Sequence, residues 1–190
     1  MIELGKDVLY VLNTETPHGK SDERILQAAR EALLWDDMDG ILEVCREEKG
    51  KPHFEGDPMY FSVTHSGKYW MCIFSKLPVG VDLQKKETKN KAEKISRRFF
   101  HPDEVDYLEK QDWVPFFDVW SAKESYVKYT GTGIAGELAS FSVVQKGQIK
   151  NKIEGLPLRQ CKEFPQYSLF ICGGTDGEIT IVSAEQRTGG

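Results

Sequence analysis

Three short apolar runs follow one another between residues 61 and 83, and they limit the possible folds more than any other feature of the sequence. The runs are Phe61–His65, Tyr69–Ser75 and Val79–Leu83, and only three residues separate each run from the next. Connections this short join neighbouring antiparallel strands, because parallel strands need a crossover of about a dozen residues or more. The runs therefore predict an antiparallel meander.

Helical patterns and further strands flank these runs on both sides. A helix is predicted from Ser21 to Trp35, because Ser21 can cap its first turn and apolar residues recur on one face. The proline at 102, followed by two acidic residues, marks the start of another helix. Further helices are expected at Lys91–Phe100 and Pro115–Tyr129. A strand is expected at the end of 4–12, and two strands joined by the turn Lys49-Gly-Lys-Pro52 are expected within 41–54. Further strands are expected at 140–145, 148–153, 167–172 and 178–184.

The order of these elements is a strand, a helix and strands, followed by helices and strands. This order predicts an α+β fold made of two similar halves, each a small and mainly antiparallel sheet packed with helices. We expect the N-terminal half to comprise residues 1–85 and the C-terminal half residues 86–190.

Composition narrows the class of protein. With 39% hydrophobic and 29% charged residues, the chain can bury a core, and its net charge of −5 does not favour nucleic-acid binding. The four cysteines are scattered and form no CxxC pair, so zinc and redox motifs lack support. The N-terminus does not resemble a signal peptide, and no apolar stretch approaches the ~18 residues of a membrane span. We expect a cytoplasmic protein that does not enter membranes.

The predicted helix at 115–129 carries the most unusual pattern of side chains. Its residues Trp120, Lys123, Glu124, Val127 and Lys128 fall within an arc of about 140° at 100° per residue. A solvated face with a Glu124–Lys128 ion pair would explain the charges. A plain surface helix, however, keeps its apolar residues on a separate stripe. The mixture favours a partly buried polar cleft.

Asp82 and Gln84 lie at the end of the third apolar run. The two residues are two positions apart on a strand, so their side chains point to the same side. A carboxylate and an amide oxygen are hard ligands suited to Mg²⁺, and Glu124 can supply a second carboxylate. The alternative is that Asp82 only caps a turn.

Two weaker signals involve turns. In the first, Thr64 and His65 lie where a strand enters a turn, and donors there could hold a phosphate, although a single histidine is more often structural. In the second, Lys51 sits in the turn Gly50-Lys51-Pro52.

The stretch Lys85–Arg98 holds seven basic residues against two acidic ones. It is either a solvated helix face or a docking surface for an acidic partner.

Taken in order, these segments resemble the Sfp-type 4′-phosphopantetheinyl transferases. The resemblance is continuous from about residue 45 to 145, and the combination of its motifs is more specific than any one of them. The motifs are Gly50-Lys-Pro52, Phe61-Ser-Val-Thr-His-Ser-Gly67, Gly80-Val-Asp82, Arg98-Phe-Phe100 with Glu104, and Trp120-Ser-Ala-Lys-Glu-Ser-Tyr-Val-Lys128.

The resemblance implies a pseudo-dimer of two α+β halves with coenzyme A in the cleft between them. It also implies roles for individual residues. Asp82 and Glu124 would hold Mg²⁺, with Glu104 at a further acidic position near the metal. Lys123 and Lys128 would contact the phosphates, Thr64 and His65 would bind the 3′-phosphate region, Lys51 would lie near the adenine, and Arg24 resembles an N-terminal phosphate-binding arginine.

The implied reaction is that of a holo-acyl-carrier-protein synthase. A serine of an apo acyl or peptidyl carrier protein would attack coenzyme A and release 3′,5′-ADP. Glu124, Lys123 and Asp82 would be the catalytic residues, and the carrier would dock near Lys85–Arg98. Fatty-acid, polyketide and nonribosomal-peptide carriers all fit, and a monomer is expected.

The sequence departs from the family pattern at one position. The family often has glutamate as a metal ligand where this chain has Gln84. We expect weaker or altered metal binding as a result. Two alternatives stay open: a non-catalytic module that binds coenzyme A or a carrier protein, and a magnesium-dependent phosphohydrolase.

Overall fold

The computed structural model of the protein describes residues 6–15, 21–33, 42–46, 50–56, 59–87, 91–132 and 138–185. The helices are α1 (Ser21–Leu33), α2 (Ala92–Phe99), α3 (Pro102–Lys110) and α4 (Phe116–Thr130). The strands are β1 (Asp7–Asn13), β2 (Val44–Arg46), β3 (Pro52–Phe54), β4 (Tyr60–Ser66), β5 (Tyr69–Ser75), β6 (Val79–Lys85), β7 (Val144–Gln145), β8 (Gln148–Ile149), β9 (Lys152–Ile153), β10 (Leu156–Gln160), β11 (Tyr167–Gly173) and β12 (Ile179–Glu185). The predicted α+β class is confirmed.

Two four-stranded sheets form the centre of the molecule. The first has the strand order β12-β1-β5-β4, and the second has the order β6-β11-β10-β9. Strand β12 runs parallel to β1, while β6 is antiparallel to β11. The first sheet thus consists of strands from the predicted N-terminal half plus β12 from the C-terminal half. The second sheet consists of strands from the C-terminal half plus β6 from the N-terminal half. The division of the chain at residue 85 stays a prediction.

The predicted meander is correct for two strands and wrong for the third. Strands β4 and β5 pair antiparallel across the turn at Gly67, as expected. Strand β6, however, pairs with β11 in the second sheet and not with β5. The turn at Lys76-Leu77-Pro78 carries the chain from one sheet to the other. The apolar pattern of β6 fits either neighbour, because both its faces are buried.

Strand β6 is joined to β4 by side-chain hydroxyl groups. Backbone amides at every second residue of β6 donate to hydroxyl oxygens at every second residue of β4. The bonds are Val81 N to Ser62 Oγ at 3.1 Å, Leu83 N to Thr64 Oγ1 at 3.0 Å, and Lys85 N to Ser66 Oγ at 2.8 Å. We call this set the hydroxyl seam. It links the edges of the two sheets where no backbone ladder exists.

Three apolar cores separate the layers. Helix α1 packs Ile25, Ala28 and Ala29 on one face of the first sheet. The second core lies between the sheets and takes side chains from β1, β5, β6 and β11. In the third core, α2, α3 and α4 cover the second sheet, and α4 packs directly on β6 and β11.

All four cysteines are free thiols. None of the described helices combines the length and the apolar character that crossing a membrane requires.

Helix boundaries follow local chemistry. Helix α3 begins with a capping box, in which the His101 side chain accepts from a backbone amide and Glu104 reaches back to the His101 amide. Helix α4 ends at Gly131, whose φ of 70° is the left-handed conformation that glycine adopts without strain. Both boundaries agree with the sequence predictions to within one residue. The strand predicted at 140–145 is mostly irregular, and the one at 148–153 is divided into β8 and β9.

Candidate active site

A pocket of about 280 Å³ lies between α4 and the segments around β3 and β4. Its described lining combines cations, one carboxylate and apolar side chains. The lining residues are Gly50, Lys51, Pro52, Phe61, Ser62, Val63, Glu124, Val127, Lys128 and Gly131. Residues from both predicted halves therefore line the pocket.

Close packing of α4 on β6 places the helix side chains at this pocket. A Cβ atom at Gly80 would lie 2.1 Å from the carbonyl oxygen of Ser125 and 2.4 Å from the amide nitrogen of Tyr129. Only a glycine permits the helix backbone to approach the strand so closely. The next inward position on β6 is Asp82, which brings its carboxylate beside the helix residues Glu124 and Lys128.

Asp82 is surrounded by donors. It is 3% exposed, and its Oδ1 accepts from Lys128 Nζ at 2.8 Å. Thr64 Oγ1 lies 3.4 Å from the same oxygen, and Gln84 Nε2 donates to Oδ2 at 3.0 Å. The amide group of Gln84 thus presents its nitrogen to Asp82, where the family pattern would place a second acid.

Glu124 has an unsatisfied oxygen. The residue is 5% exposed, and its Oε1 has no hydrogen-bond partner among the described residues. Burial raises the pKa of Glu124, the nearby charge of Asp82 raises it further, and Lys128 lowers it. Two buried carboxylates this close repel each other, and an unpaired buried oxygen is costly. The pair has the oxygen donors and the charge that suit a divalent cation. Among the described residues, no three His, Cys, Asp or Glu side chains form a metal-binding group.

Lys51 lies at one wall of the pocket. Its ammonium group donates to the carbonyl oxygen of Tyr129 at 2.9 Å, near the C-terminal end of α4. Lys128 is the second cation of the lining, with 31% of its side chain exposed. Both are placed to meet an anionic ligand in the pocket.

Lys123 and Glu104 lie apart from the pocket lining. They form an ion pair with both side chains 0% exposed, and the Lys123 ammonium lies 2.8 Å from Glu104. Burial raises the pKa of Glu104 and lowers that of Lys123, and each shift is opposed by the partner's charge. The single mixed face predicted for α4 is in fact two faces. Trp120 and Lys123 face the α2–α3 side, while Glu124 and Lys128 face the pocket.

The remaining predicted residues are dispersed. Thr64 is buried in the hydroxyl seam and contacts Asp82, while His65 is exposed on β4. Arg24 is part of α1. The described pocket lining includes none of these three residues. Their roles toward coenzyme A stay predictions.

Comparison with known proteins identifies the family. A family model described as the 4′-phosphopantetheinyl transferase superfamily matches residues 78–177. The 4′-phosphopantetheinyl transferase Sfp of Bacillus subtilis (strain 168) is 32% identical over 161 residues, which are 76% of this chain and 70% of that protein. The chain belongs to the 4′-phosphopantetheinyl transferase superfamily.

Two other members of the superfamily match over shorter spans of their own length. A second Bacillus subtilis 4′-phosphopantetheinyl transferase is 34% identical over 66% of this chain and 60% of its own length. The 4′-phosphopantetheinyl transferase gsp of Aneurinibacillus migulanus is 30% identical over 67% of this chain and 56% of its own length. The chain thus spans between about half and two thirds of these two relatives.

Two features of this superfamily member lie beyond what its motifs predict. Gly80 belongs to the motif Gly80-Val-Asp82, and in the structure it lets α4 approach β6. The hydroxyl groups of Ser62, Thr64 and Ser66 join the two sheets, a role that the sequence analysis did not predict for them. Hydroxyl residues at alternate positions of an otherwise apolar strand were the signal for the seam.

Proposed function

We propose that this chain transfers the 4′-phosphopantetheine arm of coenzyme A to a serine of an apo acyl or peptidyl carrier protein and releases 3′,5′-ADP. Family membership supports the type of reaction. The observation that carries the proposal is the buried Oε1 of Glu124, which has no hydrogen-bond partner among the described residues and belongs to a residue that lines the pocket together with Lys51 and Lys128. Such a group needs a partner that the described part of the chain does not provide.

Magnesium is part of the proposal. Asp82 and Glu124 would hold the ion, because they are buried carboxylates close enough for their charges to interact. When bound, Mg²⁺ would neutralise the pyrophosphate of coenzyme A and make its phosphorus more electrophilic. Gln84 could add an amide oxygen only after its side chain turns around, since its nitrogen faces Asp82.

The chain's own residues have separate tasks in the reaction. Glu124 would accept the proton of the carrier serine, directly or through a water, because it is the carboxylate among the described residues that line the pocket. Lys128 would oppose the negative charge that develops on the 5′-phosphate of the leaving 3′,5′-ADP. Lys51 binds the nucleotide portion, and Thr64 with His65 would contact the 3′-phosphate region.

The carrier protein is proposed to dock along Lys85–Arg98. Lys85, Lys86, Arg97 and Arg98 are exposed, while residues 88–90, including Lys89, lie outside the described residues. Lys85 ends β6 and Lys86 follows it, and β6 also carries Asp82, so a carrier bound at these two lysines would lie next to the site. A monomer in the cytoplasm is also part of this proposal.

A non-catalytic module that binds coenzyme A is the second candidate. The observation in its favour is the Gln84 side chain, which offers a donor at the position of an expected acidic ligand. This reading gives the pocket a ligand but no metal-dependent chemistry.

Incubation of the protein with coenzyme A, Mg²⁺ and an apo carrier protein, followed by intact mass spectrometry of the carrier, tests the proposal. Acyl, polyketide and peptidyl carriers should be tried separately. We expect a phosphopantetheine mass gain on at least one carrier, and no gain with Glu124→Ala. Glu178→Ala, at an exposed carboxylate paired only loosely with Lys6 at 3.8 Å, is the matched control.

Each outcome of that experiment is informative. Binding of coenzyme A without a mass gain supports the module, and release of inorganic phosphate supports a phosphohydrolase. Near-normal turnover by Glu124→Ala would show that Glu124 is neither a ligand nor a base.

A further inference from the structure

The buried ion pair of Glu104 and Lys123 leads to an inference that rests on the proposed function and deepens it. The family resemblance assigns Lys123 to the phosphates and Glu104 to the surroundings of the metal. In the structure the two side chains are 0% exposed and contact each other. Their remaining partners decide whether either can also reach a substrate.

The ammonium group of Lys123 is fully enclosed by its protein partners. Its Nζ lies 2.8 Å from each carboxylate oxygen of Glu104 and 2.7 Å from the carbonyl oxygen of Phe141. An ammonium carries three N–H donors, of which two are hydrogen-bonded to Glu104 Oε1 and the Phe141 carbonyl oxygen, while Glu104 Oε2 lies within ion-pair distance. The ring of Phe141, 4.0 Å from Nζ to its centroid, covers the group further. A phosphate could bind Lys123 only by displacing one of these partners.

The carboxylate of Glu104 is equally occupied. Besides Lys123, its Oε1 accepts from the Val143 amide at 2.7 Å and its Oε2 accepts from the His101 amide at 3.1 Å. Glu104 thereby joins the first turn of α3, helix α4 and the segment 141–143. Both oxygens would have to give up donors before they could bind a metal.

Lys123 precedes Glu124 on α4, and this adjacency connects the ion pair to the site. Successive helix residues point about 100° apart, so a helix held at Lys123 cannot turn without moving Glu124. On another side, α4 is pressed against β6 at Gly80. We infer that Glu104 and Lys123 are positioning residues, which fix the rotation of α4 so that Glu124 faces the pocket, and that neither contacts coenzyme A or the metal.

A double-mutant cycle tests this inference through binding, stability and turnover. Removing one partner leaves a buried charge without compensation, whereas removing both leaves none. We expect Lys123→Met to lower the Tm and to lower kcat by about a hundredfold through displacement of Glu124. The Kd for coenzyme A, measured by calorimetry in EDTA, should change less than about twofold.

The neutral pair Glu104→Gln with Lys123→Met should then recover at least about tenfold in kcat over Lys123→Met alone, together with most of the Tm. Its affinity for Mn²⁺ in the presence of coenzyme A, measured by electron paramagnetic resonance, should equal that of the wild type. A tenfold rise in the Kd for coenzyme A, or loss of Mn²⁺ binding, in the double variant would overturn the inference.

Amine labelling of the wild-type protein tests the same point without any variant. A lysine-reactive ester should modify Lys128 in the free protein and less so with coenzyme A bound, whereas Lys123 should resist modification in both states. Labelling of Lys123 that coenzyme A suppresses would refute the inference even if the variants do not fold. If the wild type binds no coenzyme A at all, the proposed function fails. The ion pair is still tested in that case, by the resistance of Lys123 to the ester and by the Tm values of the single and double variants.

Discussion

Gly80→Ala should remove activity by displacing α4, although residue 80 contacts no substrate in the proposed reaction. The added Cβ would lie 2.1 Å from the Ser125 carbonyl oxygen, 2.4 Å from the Tyr129 amide nitrogen and 3.0 Å from the Lys128 carbonyl carbon. All three atoms belong to the helix backbone, so no side-chain rotation can relieve the contact. The helix or the strand must move.

The size of the movement follows from these distances. Restoring an ordinary contact of 3.4 Å from 2.1 Å requires a shift of about 1.3 Å between α4 and β6. Such a shift suffices to break the 2.8 Å contact between Lys128 and Asp82 and to move Glu124 relative to Asp82. A misplacement of about 1 Å costs about a hundredfold in rate, and overpacking a core costs about 1–3 kcal/mol in stability.

The assay is kcat/KM for transfer to the carrier, measured beside the free energy of unfolding from urea denaturation. Gly147→Ala is the control, because Gly147 has a φ of 74° in the turn between β7 and β8 and no atom within 4 Å of its added Cβ. It should lose about 1 kcal/mol of stability from backbone strain and keep its activity. A Gly80→Ala protein with kcat/KM within about twofold of the wild type would refute the argument that the β6 contact sets the position of α4.

Three further predictions concern the metal, the carrier and the hydroxyl seam. Gln84→Glu should lower the Mg²⁺ concentration needed for half-maximal activity, because an acid replaces the amide beside Asp82; an unchanged requirement would mean that residue 84 is not a ligand. Reversing Lys85 and Lys86 to Glu should raise KM for the carrier, more so at low salt, and spare the Kd for coenzyme A; an equal loss toward both would indicate damage to the fold. Thr64→Val should lower the free energy of unfolding by about 1–3 kcal/mol, because the Leu83 amide loses its buried acceptor; unchanged stability in urea denaturation would contradict the seam.

The local elements could be predicted from the sequence because their signals are local. Strand β5 matches its predicted bounds, and α4 differs from its prediction by one residue at each end. Apolar alternation, capping residues and glycine at the helix end act within a few positions, so one chain suffices to detect them.

The pairing of distant segments could not be predicted in the same way. The parallel pairing of β1 with β12 joins the two ends of the described chain, and nothing in either strand specifies its partner. Likewise, Lys123 and Glu124 are adjacent charged residues on α4, and the sequence alone predicts that both side chains lie in the same cleft. In the structure their side chains point to different places. Lys123 turns into the third core, where the Glu104 carboxylate and the Phe141 carbonyl oxygen accept its hydrogen bonds, whereas Glu124 lines the pocket.

The exchange of strands between the two sheets explains why the site takes residues from both predicted halves. Asp82 lies on β6, which comes from the first part of the sequence but belongs to the second sheet, under α4. The hydroxyl seam holds β6 against β4, so the pocket wall at Phe61–Val63 stays at a fixed distance from Glu124 and Lys128. Asp82 is therefore positioned by two independent sets of contacts, one to each sheet. Weakening either set should separate the carboxylates before it unfolds the protein, and a loss of metal affinity at a temperature where the variant is still fully folded would be the measurable sign.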